Sequence, residues 1–262
     1  MDPSSPATLD GDAPVIRARG LTKTFGHVRA LRGVSLDLRA GEVVAVFGDN
    51  GAGKSTLTKC LCGVYTPDSG TIEVGSRTVA LRSPRDAEAH GVTTVHQDLA
   101  LAPHLSVLEN VFLGHEMLHG GLRRRFGVLA RRAMAGRSEA ALQRLSIQLP
   151  SVYVPVSALS GGQKQAVAIA RAVLWSTTGI LMDEPTASLG TRQSDIVSGL
   201  IRSSADHGLA VLVISHDIPR ILEVADRVVV LRQGAVALSN AMPAVSRRDV
   251  IDAMVGYVEQ GE

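Results

Sequence analysis

The sequence of 262 residues is poor in several features that would each point to a particular class of protein. Its two cysteines, Cys60 and Cys62, lack the spacing and the second pair of a zinc site, so we interpret them as small core residues in a reducing compartment. The 27 lysines and arginines nearly balance 25 aspartates and glutamates, and a net charge of +2 gives no argument for bulk nucleic-acid binding. No apolar run approaches the roughly 18 residues of a membrane-spanning helix.

The first 14 residues differ in composition from the rest of the chain. They are acidic and rich in serine and proline, and contain no basic stretch followed by an apolar one. This predicts a disordered tail over 1–14 rather than a secretory signal. Residues 15–262 are expected to fold, because 45% of the chain is hydrophobic and can fill a core. Together with the shortages above, this predicts a soluble or peripheral cytoplasmic protein.

One stretch dominates what the sequence does contain. Residues 48–55 read Gly-Asp-Asn-Gly-Ala-Gly-Lys-Ser and fit the pattern G-x-x-x-x-G-K-[ST] at every fixed position. An apolar, β-branched run at 42–47 predicts a buried strand before them, and apolar residues at helical spacing follow at 55–62, up to Gly63. A strand, a glycine-rich loop and a helix form the context in which this pattern binds phosphate.

The chemistry of such a loop follows from its backbone. Glycines let successive N–H groups turn toward one point, and the helix N-terminus adds positive potential there. We expect Lys54 to bridge the β- and γ-phosphates of a nucleotide and the Ser55 hydroxyl to bind Mg²⁺. The alternative is a glycine-rich turn that matches by chance, and the correct flanks argue against it. The residues predicted to surround the nucleotide here are Gly48, Asp49, Asn50, Gly51, Ala52, Gly53, Lys54, Ser55 and Thr56.

Polar residues also follow two other apolar runs. An apolar strand over 179–184 ends in Asp183 and Glu184, and His216 follows the most apolar strand, 209–215. Asp183 is predicted to hold Mg²⁺, directly or through water, and Glu184 to take a proton from an attacking water. Since α/β sheets place ligands at the carboxyl ends of strands, His216 is a third candidate. From its position alone, a capping or core histidine is the simpler interpretation.

A second glycine pair occurs where another helix is predicted to begin. Ser160, Gly161, Gly162 and Gln163 lead into a helix predicted over 164–175. Serine before two glycines at a helix start can form an anion-binding terminus, whereas alone it indicates only a cap and a turn.

The remaining pattern predicts an α/β fold with two additional parts. From about residue 99 to 158 strand patterns disappear and helix signals replace them, which predicts an α-helical subdomain inserted into the α/β core. Its first helix opens with a cap at Ser106 and Glu109. Elsewhere the pattern predicts an antiparallel region with strands at 15–21, 34–38 and 70–74, a helix at 84–90, a strand at 92–96, a helix at 131–145, a closing hairpin over 228–238 and a last helix at 249–255.

Two patterns are better explained as ordinary structure. Residues 115–119, His-Glu-Met-Leu-His, match the zinc pattern H-E-x-x-H, in which two histidines share a helix face. Gly120 and Gly121 end any such helix, and no third ligand is evident. A basic cluster could meet phosphate or anionic lipid, although a solvated loop and helix face is the simpler interpretation. This cluster comprises Arg123, Arg124, Arg125, Arg131 and Arg132.

The order of the motifs resembles that of the ATP-binding subunit of an ABC transporter, from residue 15 to the C-terminus. The glycine-rich loop, Gln97, the signature Leu-Ser-Gly-Gly-Gln at 159–163, the acidic strand end and His216 occur in the family's order. The resemblance implies a P-loop NTPase core with an antiparallel β subdomain and an inserted α-helical subdomain. It also implies ATP and Mg²⁺ as cofactors and ATP hydrolysis as the activity.

The resemblance implies roles for the matching residues. Phe25 would stack on adenine, and Gln97 would sense the γ-phosphate and Mg²⁺ and connect to the helical subdomain. Glu184 would be the general base, and His216 would contact the γ-phosphate. The Mg²⁺ ligands would be Ser55, Gln97 and Asp183, and the residues that close over ATP bound to a second copy would be Ser160, Gly161, Gly162 and Gln163.

The resemblance also implies an assembly. Such ATPases are expected to form head-to-tail homodimers with two ATP molecules sandwiched between them. The dimer would serve two transmembrane permease subunits at the cytoplasmic face of the inner membrane, docked near residues 97–103, with a periplasmic solute-binding protein as an indirect partner and no nucleic acid. One departure concerns Gly190, which stands where the family usually has the aspartate that helps join the two sites. Communication between the sites is therefore in question, whereas hydrolysis is not.

Three segments, 48–53, 95–101 and 111–116, look like those of sugar-importer ATPases of the ribose, xylose and fructose type. Import of a monosaccharide is therefore the preferred hypothesis. The alternatives are an ABC ATPase of an exporter or another non-sugar system, a nucleic-acid repair or translation ATPase, and a zinc hydrolase. A repair or translation ATPase usually has long coiled coils or a second ATPase cassette, and this sequence has neither. The zinc hydrolase rests only on the H-E-x-x-H match at 115–119.

Overall fold

The computed structural model describes residues 13–120 and 127–256, and in these ranges ten strands form two sheets. The strands are β1 Pro14–Phe25, β2 Val28–Arg39, β3 Val43–Phe47, β4 Ser69–Val74, β5 Arg77–Val79, β6 Val92–Val95, β7 Gly179–Asp183, β8 Ala210–Ile214, β9 Arg227–Arg232 and β10 Ala235–Ala241. The helices are α1 Lys54–Leu61, α2 Pro84–Ala89, α3 Val107–Phe112, α4 Arg131–Arg144, α5 Gly161–Trp175, α6 Thr191–Asp206, α7 Ile218–Leu222 and α8 Arg247–Val255. A 3₁₀ turn covers Val156–Ala158.

The larger sheet has the order β10-β9-β3-β8-β7-β6. Strands β9, β3, β8, β7 and β6 are parallel, and β10 pairs antiparallel at the edge. All five residues of β3 and of β8 are buried, as expected for central strands that are covered on both faces. Because these strands are parallel, the carboxyl ends of β3, β6, β7 and β8 meet at one edge of the sheet.

The smaller sheet, β2-β1-β4-β5, is antiparallel throughout its pairs. It packs with α1 on one side of the larger sheet, and helices α3 to α6 pack on the other. Strand β3 has side chains in both cores. Val44 and Val46 face the core shared with the smaller sheet and α1, whereas Val43, Ala45 and Phe47 face the core shared with helices α3 to α6. The predicted α/β core with an antiparallel β region is therefore confirmed.

Several predicted boundaries differ from the structure. Strand β1 begins at Pro14, inside the expected tail, where it pairs with Arg39, and it continues through Phe25. Helix α5 begins at Gly161 rather than at 164, because Ser160 caps it. Residues 1–12 of the expected tail and the cluster Arg123–Arg125 lie outside the described residues.

The segment from 115 to 119 is not helical, so its two histidines do not share a helix face. Its first histidine instead stacks on Trp175, with ring centroids 4.2 Å apart. In the residues that the structure describes, no three His, Cys, Asp or Glu side chains are grouped for a metal ion. No helix there combines the length and the hydropathy that a bilayer crossing requires.

Candidate functional site

A cleft of about 540 Å³ lies where the parallel strands end. The loop after β3 forms its floor, and residues that follow β6, β7 and β8 reach into it. The sheet thus brings together segments that are more than 160 residues apart in sequence, such as Ser55 and His216. The lining residues are Val28, Ala30, Asp49, Asn50, Gly51, Ala52, Gly53, Lys54, Ser55, Thr56, Gln97, Asp183, Glu184, Ala187 and His216.

The loop after β3 has a backbone that only glycine accepts at two points. Gly48 has φ 152°, and a Cβ there would lie 2.3 Å from the Leu231 carbonyl oxygen. Gly53 has φ 106°, and a Cβ there would lie 2.5 Å from the Ala30 carbonyl oxygen. The loop is therefore held close to β9 and β2 at both of its ends, and it leads directly into α1.

Lys54 is the one cation that the loop itself supplies. Its side chain is buried, and Nζ donates to the carbonyl oxygens of Gly48 at 2.6 Å and Asp49 at 3.1 Å. Burial lowers the pKa of Lys54, and the carboxylates of Glu184 and Asp183 oppose this effect. A phosphate group would offer this ammonium the negative charge that its carbonyl partners lack.

Asp183 ends strand β7 at the same edge. Burial raises its pKa, and His96, Lys59 and Lys54 oppose the rise. The Ser55 side chain also acts to lower the pKa of this carboxyl group. The carboxylate of Asp183, the hydroxyl of Ser55 and the amide of Gln97 are oxygen donors of the kind that Mg²⁺ prefers. A bound cation would favour the charged form that burial disfavours, so the donor set fits Mg²⁺.

Glu184 follows in an unusual conformation. Its φ of 52° is left-handed, and its N–H donates to the Ile214 carbonyl at 2.9 Å. Oε1 lies 3.0 Å from Nε2 of His216, and Oε2 accepts from the His216 N–H at 3.3 Å. Oε1 is buried without a hydrogen bond of good geometry. Burial raises the pKa of Glu184, and His216 opposes this. A raised pKa makes the ionised form of a glutamate a better proton acceptor.

Phe25, the expected adenine platform, does not line the cleft. It ends β1 with 40% of its surface exposed, and its ring meets the edge of Tyr65 with centroids 5.1 Å apart. Val28 and Ala30 line the wall of the cleft instead, and Val28 is 66% exposed. The only sequence signal for a role of Val28 is that it is an apolar residue at the start of an alternating strand. Exposed apolar residues of this kind are too common for this signal to identify one position.

The signature residues also lie outside the cleft. Ser160 caps helix α5 through a complete capping box: its Oγ accepts from the Gln163 N–H at 3.3 Å, and Gln163 Oε1 accepts from the Ser160 N–H at 3.0 Å. Gly162 is buried against α6, and a Cβ there would lie 3.1 Å from the Gln193 side chain. Ser160, Gly162 and Gln163 line a separate cavity of about 840 Å³ between α5 and α6. One chain thus carries two separate surfaces, the cleft and this cavity.

Comparison with known proteins finds a matching family model and curated relatives. The ABC transporter family model matches residues 31–187. Over 223 residues the chain is 43% identical to the fructose import ATP-binding protein FrcA of Rhizobium meliloti, covering 84% of this chain and 86% of that protein. Over 243 residues it is 41% identical to the xylose/arabinose import ATP-binding protein XylG of Sulfolobus acidocaldarius, covering 93% and 94%.

Solved structures of ABC transporter cassettes share the fold. The dimeric structure of MJ0796, a bacterial ABC transporter cassette, superimposes with a TM-score of 0.70 at 26% identity, and the match covers 87% of this chain and 98% of that one. Family model, sequence and fold agree with the order of motifs around the cleft: the chain belongs to the ABC transporter family.

Proposed function

We propose that this chain is the ATP-hydrolysing subunit of a monosaccharide importer and that it works peripherally at the cytoplasmic face of the inner membrane. The observation that carries the hydrolysis is the pair Glu184 and His216, 3.0 Å apart, in the cleft that also holds the buried Lys54. The sugar assignment rests on the relatives, which are named for fructose and for xylose/arabinose import. An exporter subunit would need the same cleft, but no relative above carries such a name.

Nucleotide binding would use the loop and the first turn of α1. Backbone N–H groups of residues 48–53 and the ammonium of Lys54 would hold the phosphates. Ser55, Gln97 and Asp183 would hold Mg²⁺, which when bound neutralises charge on the β- and γ-phosphates. Phe25 would have to turn its exposed ring toward the loop to stack on adenine.

Hydrolysis would use the far end of the cleft. Glu184 Oε1 would accept a proton from the attacking water, and its raised pKa makes it a stronger base than an exposed glutamate. His216 orients this carboxylate through its backbone N–H, which donates to Oε2, and its ring lies 3.0 Å from Oε1 and would also contact the γ-phosphate. The left-handed backbone of Glu184 aims the carboxylate at this position and is a local strain of the kind found at functional sites.

The signature surface explains why a second copy is proposed. Ser160, Gly161, Gly162 and Gln163 do not reach the cleft of their own chain, so they would contact ATP held by another chain in a head-to-tail homodimer. The MJ0796 cassette, whose structure is dimeric, supports dimerisation. Two transmembrane permease subunits would dock near 97–103, with a periplasmic solute-binding protein acting through them, and no nucleic acid is involved.

Uptake in cells tests the proposal. The gene is deleted and restored as wild type, as Lys54→Ala or as Lys164→Ala, and labelled ribose, xylose, fructose and galactose are followed into the cells. We expect one sugar to be lost on deletion and restored by wild type and Lys164→Ala, but not by Lys54→Ala. Normal uptake of all four sugars in the deletion strain would contradict the sugar assignment. Equal rescue by all three versions would contradict the role of the cleft.

A further inference from the structure

Shortly after Gln97, two consecutive residues have an uncommon left-handed backbone conformation. Leu99 and Ala100 are consecutive residues with φ of 60° and 44°, and neither is glycine. The Leu99 N–H donates to the His96 carbonyl at 2.9 Å, which closes a tight turn around Gln97. A left-handed backbone costs free energy in any residue with a Cβ, and two in succession cost more. The turn therefore needs a partner that holds it.

Arg171 is that partner. Its guanidinium donates through Nη2 to the Leu99 carbonyl and through Nη1 to the Ala100 carbonyl, both at 2.9 Å. The planar fork of arginine matches two adjacent acceptors, whereas a lysine ammonium would reach them as a single point charge. In the described residues no carboxylate lies within ion-pair distance of this guanidinium. The two carbonyl groups of the turn are therefore its hydrogen-bonding partners, and the Glu88 carboxylate acts on its charge from a longer distance.

Arg171 lies on α5, the helix that begins at the signature serine. Four residues later on the same face, Trp175 Nε1 donates to the Val111 carbonyl at 2.8 Å, and its ring meets Phe112 at right angles with centroids 5.3 Å apart. One helix therefore contacts the segment from 99 to 112 at both of its ends.

The middle of that segment is fixed by Asn110. This side chain is fully buried, its Nδ2 donates to the carbonyls of Ala102, Leu105 and Ser106, and its Oδ1 accepts from the Ala102 N–H at 2.7 Å. The segment from 99 to 112 is thus one stiff piece attached to α5. Any displacement of α5 would carry this piece, and with it the backbone that leads to Gln97.

We infer that Arg171 is the positioning residue for Gln97: it holds the left-handed turn at 99–100 against the signature helix, and so sets how far Gln97 reaches into the nucleotide cleft. The inference rests on the proposed function, since it assigns a role within the same ATPase. It predicts a defect in turnover rather than in ATP binding, because Leu99 and Ala100 are not among the described residues that line the cleft with the phosphate loop and Lys54.

The test uses the purified full-length chain with Arg171→Ala, Arg171→Lys and the double variant Arg171→Ala/Ala100→Gly. Phosphate release gives kcat and KM, and titration with a fluorescent ATP analogue gives Kd. We expect Arg171→Ala to lower kcat between about ten- and a hundredfold, the range for a misplaced catalytic group, with Kd within about twofold of wild type. Arg171→Lys should recover only part of the loss.

The double variant separates positioning from general stability. Glycine adopts the left-handed backbone without strain, so Ala100→Gly should raise the kcat of Arg171→Ala several-fold although it adds no contact. The control is Arg131→Ala, which removes an exposed ion pair with Glu109 in the same part of the molecule and should leave kcat unchanged.

Two results would overturn the inference: an unchanged kcat in both Arg171 variants, or equal losses of kcat and ATP affinity that Ala100→Gly does not reverse. If Arg171→Ala does not fold, a fully active Arg171→Lys would overturn it as well. Lys54→Ala in the same assay distinguishes this failure from that of the proposed function. If Lys54→Ala turns over ATP as fast as wild type, the ATPase assignment itself is wrong.

Discussion

Glycine precedes helix α1 and opens helix α5, but the first turns of the two helices are built differently. Helix α1 follows Gly53, which has a left-handed backbone, and no side chain caps this helix. Helix α5 follows Ser160, and the side chains of Ser160 and Gln163 each accept a hydrogen bond from the other's backbone N–H. Helix α1 thus leaves its first N–H groups to a ligand, whereas α5 satisfies two donors with its own side chains.

The charges beside the two helix starts differ as well. Lys54 is buried at the start of α1 and lies close enough to Asp183 and Glu184 to influence their pKa values. Lys164, near the start of α5, is only partly buried and lines neither the cleft nor the cavity between α5 and α6. A glycine pair at the start of a helix is therefore not enough for a phosphate site. Under the proposed function, the start of α1 would bind the nucleotide, and the start of α5 would add contacts to a nucleotide that another chain holds.

The largest expected effect comes from Glu184→Gln, which removes the base but leaves the α1 site intact. We expect kcat to fall between about 10²- and 10⁴-fold, the usual contribution of general-base catalysis, while ATP still binds. ATP should then accumulate in a dimer, which size-exclusion chromatography with and without ATP would detect. Glu223→Gln, an exposed glutamate beyond the cleft, is the control. If Glu184→Gln stayed monomeric at saturating ATP, this would contradict a dimer in which ATP lies between the cleft of one chain and residues 160–163 of the other. We call these two contact regions the α1 surface and the α5 surface.

Lys54→Ala and Lys164→Ala compare the two helix starts directly. Lys54→Ala should weaken ATP binding by one to two orders of magnitude, since hydrogen bonds to charged groups are worth about 1.5–3 kcal/mol. Lys164→Ala should bind ATP like wild type, because the α5 surface of the same chain takes no part. Titration of the two purified variants with a fluorescent ATP analogue measures the difference. Equal affinities in both would remove the distinction between the helices.

Ser160→Ala tests the α5 surface, and Ser246→Ala matches it, because Ser246 and Asp249 form the same capping box on α8. Each change should cost about 1 kcal/mol of unfolding free energy, the usual value of an N-cap, measured by urea denaturation. Only Ser160→Ala should also weaken the ATP-dependent dimer of the Glu184→Gln chain. If both variants reduced dimerisation equally, the α5 surface would have only a structural role.

The sequence predicts the α1 site well, because every step there is local or follows from parallel strands. The pattern at 48–55 predicts the loop, and the ends of β7 and β8 carry Asp183, Glu184 and His216 to one edge of the sheet. The left-handed φ of Glu184 could not be predicted, since the strand pattern simply continues through it.

The α5 region is less predictable because its features are tertiary. Glycine is a poor helix former, so the prediction began α5 after the glycine pair, whereas the capping box starts it at Gly161. The contacts from Arg171 to Leu99 and Ala100 join residues 72 and 71 positions apart, and no local pattern indicates them. Phe25 shows the same limit: the family resemblance gives it a role, but the structure places its ring against Tyr65.

The pH dependence of stability should differ between the cleft and the rest of the chain. Burial raises the pKa of Glu184, so the folded state binds its proton more tightly than the unfolded state does, and this residue destabilises the fold once it is charged. Glu184→Gln should therefore melt up to about 3 °C higher than wild type at pH 7.5, the shift that about 1 kcal/mol gives at this size. The difference should shrink as the pH falls toward about 4, where the unfolded carboxyl is also protonated.

Thermal denaturation of Glu184→Gln and the control Glu223→Gln at a series of pH values measures this effect. The control should follow wild type at every pH. A Glu184→Gln variant whose advantage grows as the pH falls would show that burial does not dominate the energetics of this carboxylate.

A further effect on stability is expected at Gly190, which directly precedes helix α6. It is the N-cap of α6, with extended backbone (φ −71°, ψ 162°), no side-chain cap and no atom within 4 Å of a Cβ built there. The aspartate usual at this position in the family would therefore cap α6. Asp at an N-cap exceeds Gly by a few tenths of a kcal/mol, and losing a glycine from the unfolded chain adds about 0.4–1 kcal/mol. Gly190→Asp should thus raise the melting temperature by about 2–4 °C.

Gly190→Ala separates the two causes, since it changes the unfolded chain without adding a cap. Its melting temperature should therefore be lower than that of Gly190→Asp. If Asp and Ala were equally stable, capping of α6 would not be part of what the aspartate does, and its role in the family would have to lie across the dimer between the α1 and α5 surfaces.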